Sequence, residues 1–328
     1  MPINCAGSLC VNFPKCYLSR VTVSQRQHQS YFHFWRSVID ANLQDCTPPP
    51  TDSTELVNAA MNYSVASGHR WRPLIAIAAY EMSSGRDGAE IIDAACAVEL
   101  IHTCTIIVDD LPCVDNASFR RGRLTCHRVY GEAVTVYSSH LLYAKAERLA
   151  CENATKLGID GLYIWNYLEQ AREALVEAQV QELNLNSGNI TANAQSLDKL
   201  YELKSYPFII AGWLASVFAR LDEQKQLALV LYSKYLGIAY QIIDDIQDTQ
   251  GDPARMGKAV EMDRGRVNLA RSAGVVEARS AAMNYIIRAK RCLNVFSEDI
   301  SLLKKLVDQA LGFSQESETP KAFVSSGT

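Results

Sequence analysis

The chain has 328 residues, of which 48% are hydrophobic and 21% are charged, an ordinary globular composition. Its 32 Lys and Arg against 36 Asp and Glu give a net charge of −4, which argues against a nucleic-acid partner, since phosphate contacts need clustered basic residues. The low Gly and Pro contents, 17 and 10 residues, disfavour collagen-like, turn-rich β and disordered chains.

The N-terminal segment has the composition of an organellar targeting peptide. Its first 39 residues contain no Asp or Glu, but include Lys15, Arg20, Arg26 and several Ser and Thr. We therefore predict a transit peptide or a disordered N-terminus at 1–30, with a plastid favoured over a mitochondrion. If the segment is not a transit peptide, a cytoplasmic location is expected.

Between the two ends the pattern is helical. Apolar residues recur at spacings of three and four residues in the segments 56–63, 91–101 and 227–240. Thr54 or Ser53 is a candidate cap of one helix and Ser196 of another, and no β-hairpin signal, βα alternation or GxGxxG motif is present. The pattern predicts one all-α domain at 31–313, with long helices around a common centre, followed by a disordered tail at 314–328.

Cysteine spacing and apolar run length exclude two further classes. The ten cysteines include no CxxC pair, so a zinc site or thioredoxin-like chemistry has no support, and reduced intracellular thiols are expected. No uninterrupted apolar run approaches the 18 residues of a membrane span, and the longest, 208–219, reads as a buried helix. We therefore predict no transmembrane segment.

The first acidic segment follows an apolar helix that ends near Val108. It contains Asp109, Asp110 and Asp115, with Pro112 between them. A helix C-terminus disfavours anions, so a bound cation is more plausible there than bare carboxylates. Pro112 should end or kink the helix and allow Asp115 to turn back toward the aspartate pair.

The second acidic segment continues an apolar helix. Gln241, Asp244 and Asp248 share one helix face, and Asp245 is adjacent. Buried carboxylates are expensive, and two such clusters relieve each other most simply by sharing cations. An all-oxygen site without His or Cys suits Mg²⁺, which also binds substrate phosphates. The alternative is that each cluster is a solvated helix face.

These residues, with basic segments nearby, resemble a known family. The segment 109–116 with Arg120-Arg121-Gly122 resembles the first aspartate-rich motif of the trans-isoprenyl diphosphate synthases, in the longer DDxxxxD form of plant and bacterial geranylgeranyl diphosphate synthases. The segment 240–248 matches the second motif, FQxxDDxxD, with Tyr for Phe. Further matches are 68–73 to GKRxRP, 99–102 to E-[ML]-I-H and 204–205 to Lys-Thr, so the resemblance covers about residues 55 to 270.

The resemblance implies an isoprenoid-synthase-type helical bundle with a central cavity. It also implies head-to-tail condensation of isopentenyl diphosphate with an allylic diphosphate, with Mg²⁺ as cofactor and usually as a homodimer, although a heterodimer stays open. It assigns catalysis to Asp109, Asp110, Lys204, Gln241 and Asp244, and metal binding to Asp109, Asp110, Asp115, Asp244 and Asp248. It assigns substrate binding to His69, Arg72, His102, Arg120, Arg121, Lys204, Ser205, Gln241 and Lys258.

The chain departs from the family pattern at several positions. His69 replaces a lysine for isopentenyl diphosphate, Ser205 replaces Thr, and the segment after Lys258 is shorter by about two residues against the family's GxDxxxxKxT pattern. Ser138-Ser139 stand where Gly-Asp is common. Two alternatives therefore remain: a non-catalytic or modifying subunit of a heteromeric synthase, and a terpene cyclase on the same fold.

The residues just upstream of the first motif predict the length of the product. In a helix that ends at Asp109, Thr105 lies one turn below the aspartate and Cys104 one residue further down. In the family this level forms the floor against which the growing tail stops, and both residues are small. The resemblance therefore implies a C20 product, geranylgeranyl diphosphate, with C25 open if the helix near Ser139 and His140 is also permissive.

Overall fold

The computed structural model describes residues 28–45, 54–250 and 267–316, and most of them are helical. In chain order the helices are α1 (His28–Asp45), α2 (Glu55–Val65), α3 (Trp71–Ser84), α4 (Ile92–Asp109), α5 (Cys126–Tyr130), α6 (Glu132–Lys156), α7 (Gly161–Asn186), α8 (Ala194–Lys204), α9 (Tyr206–Phe218), α10 (Glu223–Gln250), α11 (Leu269–Ser272), α12 (Val275–Cys292) and α13 (Ser301–Glu316). Two 3₁₀ turns, Gly88–Ile91 and Leu293–Val295, and two short strands, β1 (Phe119–Arg120) and β2 (Arg123–Leu124), complete the described part. The all-α fold predicted from the sequence is confirmed.

Helix α9 lies at the centre of the bundle. It is apolar all round and is buried from Pro207 to Phe218, as expected of a helix enclosed on every side. It packs against α3, α4 and α10. The approach of α10 is close because position 237 is glycine: a Cβ there would stand 2.7 Å from the Cβ of Ser205.

Helix α4 runs through the core and delivers the first acidic segment at its end. The stretch Gly88–Asp109 is long and apolar enough to cross a membrane by length and composition, but 67% of that window is buried inside the protein. Its buried residues pack mainly against α6, with further contacts to α3 and α9. This stretch therefore behaves as a core helix.

The β-hairpin is an element that the sequence analysis missed. Strands β1 and β2 are antiparallel, with Phe119 opposite Leu124 and Arg120 opposite Arg123. Arg121 and Gly122 form the two-residue turn with φ of +54° and +74°, and positive φ at both positions is the geometry of a tight hairpin. Each strand is only two residues long, too short to show the period-2 pattern that predicts strands.

Several predictions from the sequence fall at or beyond the edges of the described residues. The predicted targeting segment 1–30 and tail 314–328 lie largely outside the part described, and the domain limits of 31 and 313 stay predictions. Lys258 also lies outside the described residues. The six cysteines that the structure describes are all free thiols, as the sequence predicts.

Candidate active site

The first acidic segment folds back on itself as expected. Helix α4 ends at Asp109, and Asp110 is its C-cap. The backbone N–H of Asp115 donates to the carbonyl of Asp109 at 2.9 Å, and that of Ala117 donates to the carbonyl of Asp110 at 3.1 Å. The loop around Pro112 thus brings Asp115 beside Asp109, and the predicted end of the helix is confirmed.

Two residues that the sequence assigns to different roles are paired here. Arg120, expected to bind substrate, donates from Nε to Asp110 Oδ1 at 2.8 Å and lies with Nη2 at 2.7 Å from the same oxygen. Asp110, expected to bind metal, is 2% exposed. Burial alone would lower the pKa of Arg120, but its hydrogen bond to Asp110 raises it. The Asp110 carboxylate therefore accepts hydrogen bonds from the charged guanidinium group of Arg120.

Asp109 meets a partner that the sequence analysis missed. Gln179, on α7, donates from its side-chain amide to Asp109 Oδ1. Burial raises the pKa of Asp109 to about 7; Lys204 opposes that rise, whereas Asp115 and Glu182 add to it. Carboxylates crowded in this way hold their ionised form only at a cost, which a cation would relieve.

The second acidic segment lies on α10, with its aspartates on two faces. The side-chain hydroxyl of Tyr201, on α8, donates to Asp245 Oδ2 at 2.6 Å and accepts from the backbone N–H of Leu269 at 2.8 Å. Burial raises the pKa of Asp245 to about 6, and the hydrogen bond from Tyr201 opposes that rise. Asp245, Asp248 and Gln241 line one small recess with Lys204.

Lys204 lies between the two acidic segments. Its ammonium is 2.5 Å from Glu182 Oε1. Burial lowers the pKa of Lys204, but Glu182, Asp245 and Asp109 together raise it. The lysine therefore stays charged and links both segments electrostatically. Glu182 was not predicted.

A separate basic cluster gathers four predicted substrate-binding residues: His69, Arg72, His102 and Arg121. The charges of Arg72 and Arg121 act on His102, and that of Arg121 acts on His69. Burial is the main cause that lowers the pKa of both histidines; Arg121 adds to it at His69, and Arg72 and Arg121 add to it at His102. Both imidazoles are therefore neutral at pH 7, whereas the guanidinium groups remain charged.

Arg72 faces aromatic rings and the second acidic segment. Its guanidinium carbon lies 4.4 Å from the ring centroid of Phe208 and 5.9 Å from that of Tyr240. Its Nε is buried and has no hydrogen-bond partner among the described residues. Asp244 raises the pKa of Tyr240 and Arg72 lowers it, so Tyr240 stands where the basic cluster meets the second acidic segment.

Arg70, to which the sequence analysis assigned no role, fixes the turn between α2 and α3. Arg70 is 3% exposed, has a φ of +61°, and is ion-paired to Asp40 at 2.6 Å and to Glu99 at 2.8 Å. It also donates to the carbonyl of Val65. These contacts anchor the turn between α2 and α3, which carries His69 and leads into Arg72 at the start of α3.

A cavity of about 570 Å³ opens directly below Asp109. It is lined by α4, α6 and α7, and both Cys104 and Thr105 are on its wall, where the floor was predicted. Ser139 donates from Oγ to the carbonyl of Cys104 at 3.1 Å, which fixes α6 against α4 at this level. The expected central cavity is therefore present beneath the first acidic segment.

Ser205, like Thr105, donates from its hydroxyl to a backbone carbonyl. It is fully buried at the junction of α8 and α9, and its Oγ donates to the carbonyl of Glu202 at 2.6 Å. No group of three or more acidic, His or Cys side chains suited to a metal is preformed among the described residues. The two acidic segments thus face one another across Lys204 without forming a closed cage.

Comparisons with known proteins agree with this geometry. A family model described as polyprenyl synthetase matches residues 54–290. The heterodimeric geranylgeranyl pyrophosphate synthase large subunit 2 of Arabidopsis thaliana is 29% identical over 74% of this chain and 66% of its own length. The chloroplastic geranylgeranyl pyrophosphate synthase 9 of the same plant is 32% identical over 69% and 65%. Slightly less than two thirds of each relative is therefore matched.

The fold likeness extends to solved structures. The geranyltransferase of Helicobacter pylori, described as complexed with magnesium and isoprenyl diphosphate, has a TM-score of 0.71 and 20% identity, over 88% of this chain and 98% of its own. At this identity the likeness concerns the fold alone. The matched family model spans both acidic segments, Lys204 and the basic cluster, and the chain therefore belongs to the polyprenyl synthetase family, a family of prenyltransferases.

Proposed function

We propose that this protein is a short-chain trans-prenyltransferase that condenses isopentenyl diphosphate with an allylic diphosphate. The observation that carries the proposal is the convergence of two acidic segments across Lys204, with a separate arginine–histidine cluster beside them and a cavity of about 570 Å³ below. This arrangement offers two anion sites, one for each diphosphate, and one apolar space for a tail. Family membership supports the same reaction class.

The allylic diphosphate would bind between the acidic segments. Asp109, Asp115, Asp244 and Asp248 supply carboxylate oxygens, which suit a hard divalent cation. The raised pKa of Asp109 fits such an ion, because burial and neighbouring carboxylates leave its charge uncompensated. Bound Mg²⁺ would neutralise the departing diphosphate. Lys204 adds a fixed positive charge at the same place.

The isopentenyl diphosphate would bind in the basic cluster. Arg72 and Arg121 keep their charge there, whereas His69 and His102 act as neutral hydrogen-bonding groups. The unpartnered Nε of Arg72 supports an anionic ligand, since a buried N–H donor without an acceptor is costly. Lys258, predicted to join the allylic site, keeps that role in the proposal.

The cavity would receive the growing prenyl tail. Its mouth includes Asp109 and Val108, and its apolar wall includes Leu175, Val176 and Val180. Once its open side is covered, such a wall would exclude water from the allylic cation that forms when the diphosphate leaves. Because Cys104 and Thr105 are small, we expect a C20 product, with C25 as the next longer one.

A second copy of the chain would cover one side of this cavity. Val176 and Val180 line the cavity but are 59% and 50% exposed, and Tyr137 and Leu141 on α6 are exposed beside them. Apolar patches of this kind mark protein interfaces. A homodimer is the proposed assembly, and a heterodimer is its alternative, since one relative is named as a heterodimer's large subunit.

A plastid is the proposed location. The acid-free N-terminal segment supports it, and so does the chloroplastic name of a relative 32% identical to this chain. A fluorescent fusion of the full chain in plant cells, compared with the same fusion lacking residues 1–30, tests the assignment. Loss of plastid import on deletion is expected; equal cytosolic signal from both would contradict it.

The experiment that tests the reaction uses labelled isopentenyl diphosphate, an allylic diphosphate and Mg²⁺, with each substrate omitted in turn. Product that forms only with both substrates is expected. Hydrocarbon from the allylic substrate alone would instead show a terpene cyclase. No product in either arm, but gain of activity in a partner synthase on mixing, would show a modifying subunit.

A further inference from the structure

The part of the cavity farthest from Asp109 is lined by polar side chains, in contrast to its apolar wall. Tyr143 and Glu147 on α6 and Arg172 on α7 line this part. Tyr143 is 7% exposed and donates from its hydroxyl to the carbonyl of Leu168 at 2.7 Å. Its ring is thereby fixed between α6 and α7.

The direction of the helices shows that this is the far end. Gln179 contacts Asp109 at the mouth, and Arg172 precedes it by seven residues on α7. At the rise of an α-helix, seven residues lower Arg172 by about 10 Å. Side chains of a helix also lean toward its N-terminus, which carries the guanidinium further from the mouth.

Arg172 is held in place by three groups. Its guanidinium carbon lies 3.9 Å above the ring centroid of Tyr143. Its Nη2 is 2.8 Å from Glu147 Oε2 and 2.9 Å from Glu169 Oε1. A cation stacked on an aromatic face and paired with two carboxylates resists displacement by a hydrocarbon chain, because both carboxylates would lose their cation.

The residues above this cluster leave the cavity open. Cys104, Thr105 and Ser139 are small, and the Oγ of Thr105 and the Sγ of Cys104 donate to backbone carbonyls of their own helix, those of His102 and Ile101. A tail that enters below Asp109 therefore passes this level. Below this level the cavity is lined by the ring of Tyr143 with Arg172 stacked on it.

We infer that Tyr143 and Arg172 close the tail cavity and determine the length at which chain elongation stops. This rests on the proposed prenyltransferase function, and it assigns the floor to a stacked pair on α6 and α7, below the small residues of α4. Glu147 and Glu169 act as positioning residues, since they hold the guanidinium over the ring.

Product length in single variants tests the inference. Arg172→Ala and Tyr143→Ala should each lengthen the main product by at least one five-carbon unit. Tyr143→Phe keeps the ring and should keep the wild-type main product. Arg148→Ala is the matched control, because Arg148 lies on α6, pairs only at 3.9 Å with Glu152 and is 58% exposed. If Tyr143→Ala does not fold, Arg172→Ala decides, since its side chain is 41% exposed.

A double variant tests the order of the two levels. Cys104→Phe places a ring above the stacked pair and should shorten the product. Arg172→Ala added to Cys104→Phe should then give no lengthening, because the tail no longer reaches Arg172. Unchanged length in Arg172→Ala and Tyr143→Ala, with incorporation of isopentenyl units retained, would overturn the inference. Absence of incorporation in the wild type would overturn the proposed function instead.

Discussion

Arg120 is ion-paired with the buried carboxylate of Asp110, with Nε at 2.8 Å and Nη2 at 2.7 Å from one oxygen. The next residue, Arg121, belongs instead to the basic cluster. Arg120 ends strand β1, and Arg121 begins the hairpin turn with a φ of +54°. One short hairpin thus supplies a cation to each side of the site.

Removing Arg120 should destabilise the protein through Asp110. Arg120→Leu leaves the Asp110 side chain, which is 3% exposed, without its guanidinium partner. A lost hydrogen bond to a charged group costs roughly 1.5–3 kcal/mol of unfolding free energy. Adding Asp110→Asn should recover much of the loss, because the orphaned charge is gone. Urea unfolding of the four proteins gives the coupling free energy. Additive effects of the two changes would contradict the pairing.

Tyr201→Phe should weaken both the fold and the second acidic segment. The hydroxyl serves Asp245 and the backbone of Leu269 at once, so its removal should cost about 1–3 kcal/mol of unfolding free energy. The Mg²⁺ concentration for half-maximal condensation should also rise, since Asp245 shares α10 with Asp244 and Asp248. Tyr235→Phe on the outer part of α10 is a control, because that hydroxyl accepts from exposed Arg288. Equal effects from both changes would argue against a role for Tyr201 at the site.

His69→Lys should tighten binding of isopentenyl diphosphate. The imidazole is neutral because burial and Arg121 lower its pKa, and a charge-assisted hydrogen bond adds roughly 1.5–3 kcal/mol. A KM for isopentenyl diphosphate lower by about tenfold is expected, with the allylic KM nearly unchanged. His33→Lys, exposed on α1, is the control for added charge. Unchanged KM values in His69→Lys would remove this residue from the isopentenyl site.

Stability should depend on pH and Mg²⁺ together. Burial raises the pKa of Asp109 from 3.8 to about 7 and that of Asp245 to about 6. At pH values between the ordinary pKa of 3.8 and these raised pKa values, the folded metal-free protein therefore binds more protons than the unfolded chain. Its unfolding free energy should fall as the pH rises through this range. Mg²⁺ should raise the melting temperature more at pH 8 than at pH 5, measured against KCl of equal ionic strength. An equal rise at both pH values would exclude binding to these carboxylates.

Much of the site was predictable because its chemistry is concentrated in short segments. Asp109 and Asp115 flank a proline, and Gln241, Asp244 and Asp248 share one helix face, so local geometry was enough to bring them together. The basic cluster was predictable residue by residue from the family resemblance, and its four members do converge.

The partners that the sequence analysis missed lie far along the chain. Gln179, Glu182 and Tyr201 are single polar residues on α7 and α8, and only tertiary packing sets them against Asp109, Lys204 and Asp245. Their own segments carry no pattern that separates them from ordinary helix-surface residues. Ser196 was predicted as a cap, but the N-cap of α8 is Asn193, three residues earlier. Ser196 stands at N3 and completes the capping box with Asn193. Both are residue types that cap helices, so the sequence alone did not separate them.

The most direct test of the account measures kcat for condensation in Asp109→Ala and Asp244→Ala. Both changes remove a carboxylate from the proposed cation site, and loss of such an electrostatic contributor should lower kcat by about 100–1000-fold. Glu223→Ala, exposed in the first turn of α10, is the matched control and should leave kcat unchanged. Circular dichroism should show the same helical content in all variants. Turnover close to that of the wild type in both aspartate variants would contradict the account.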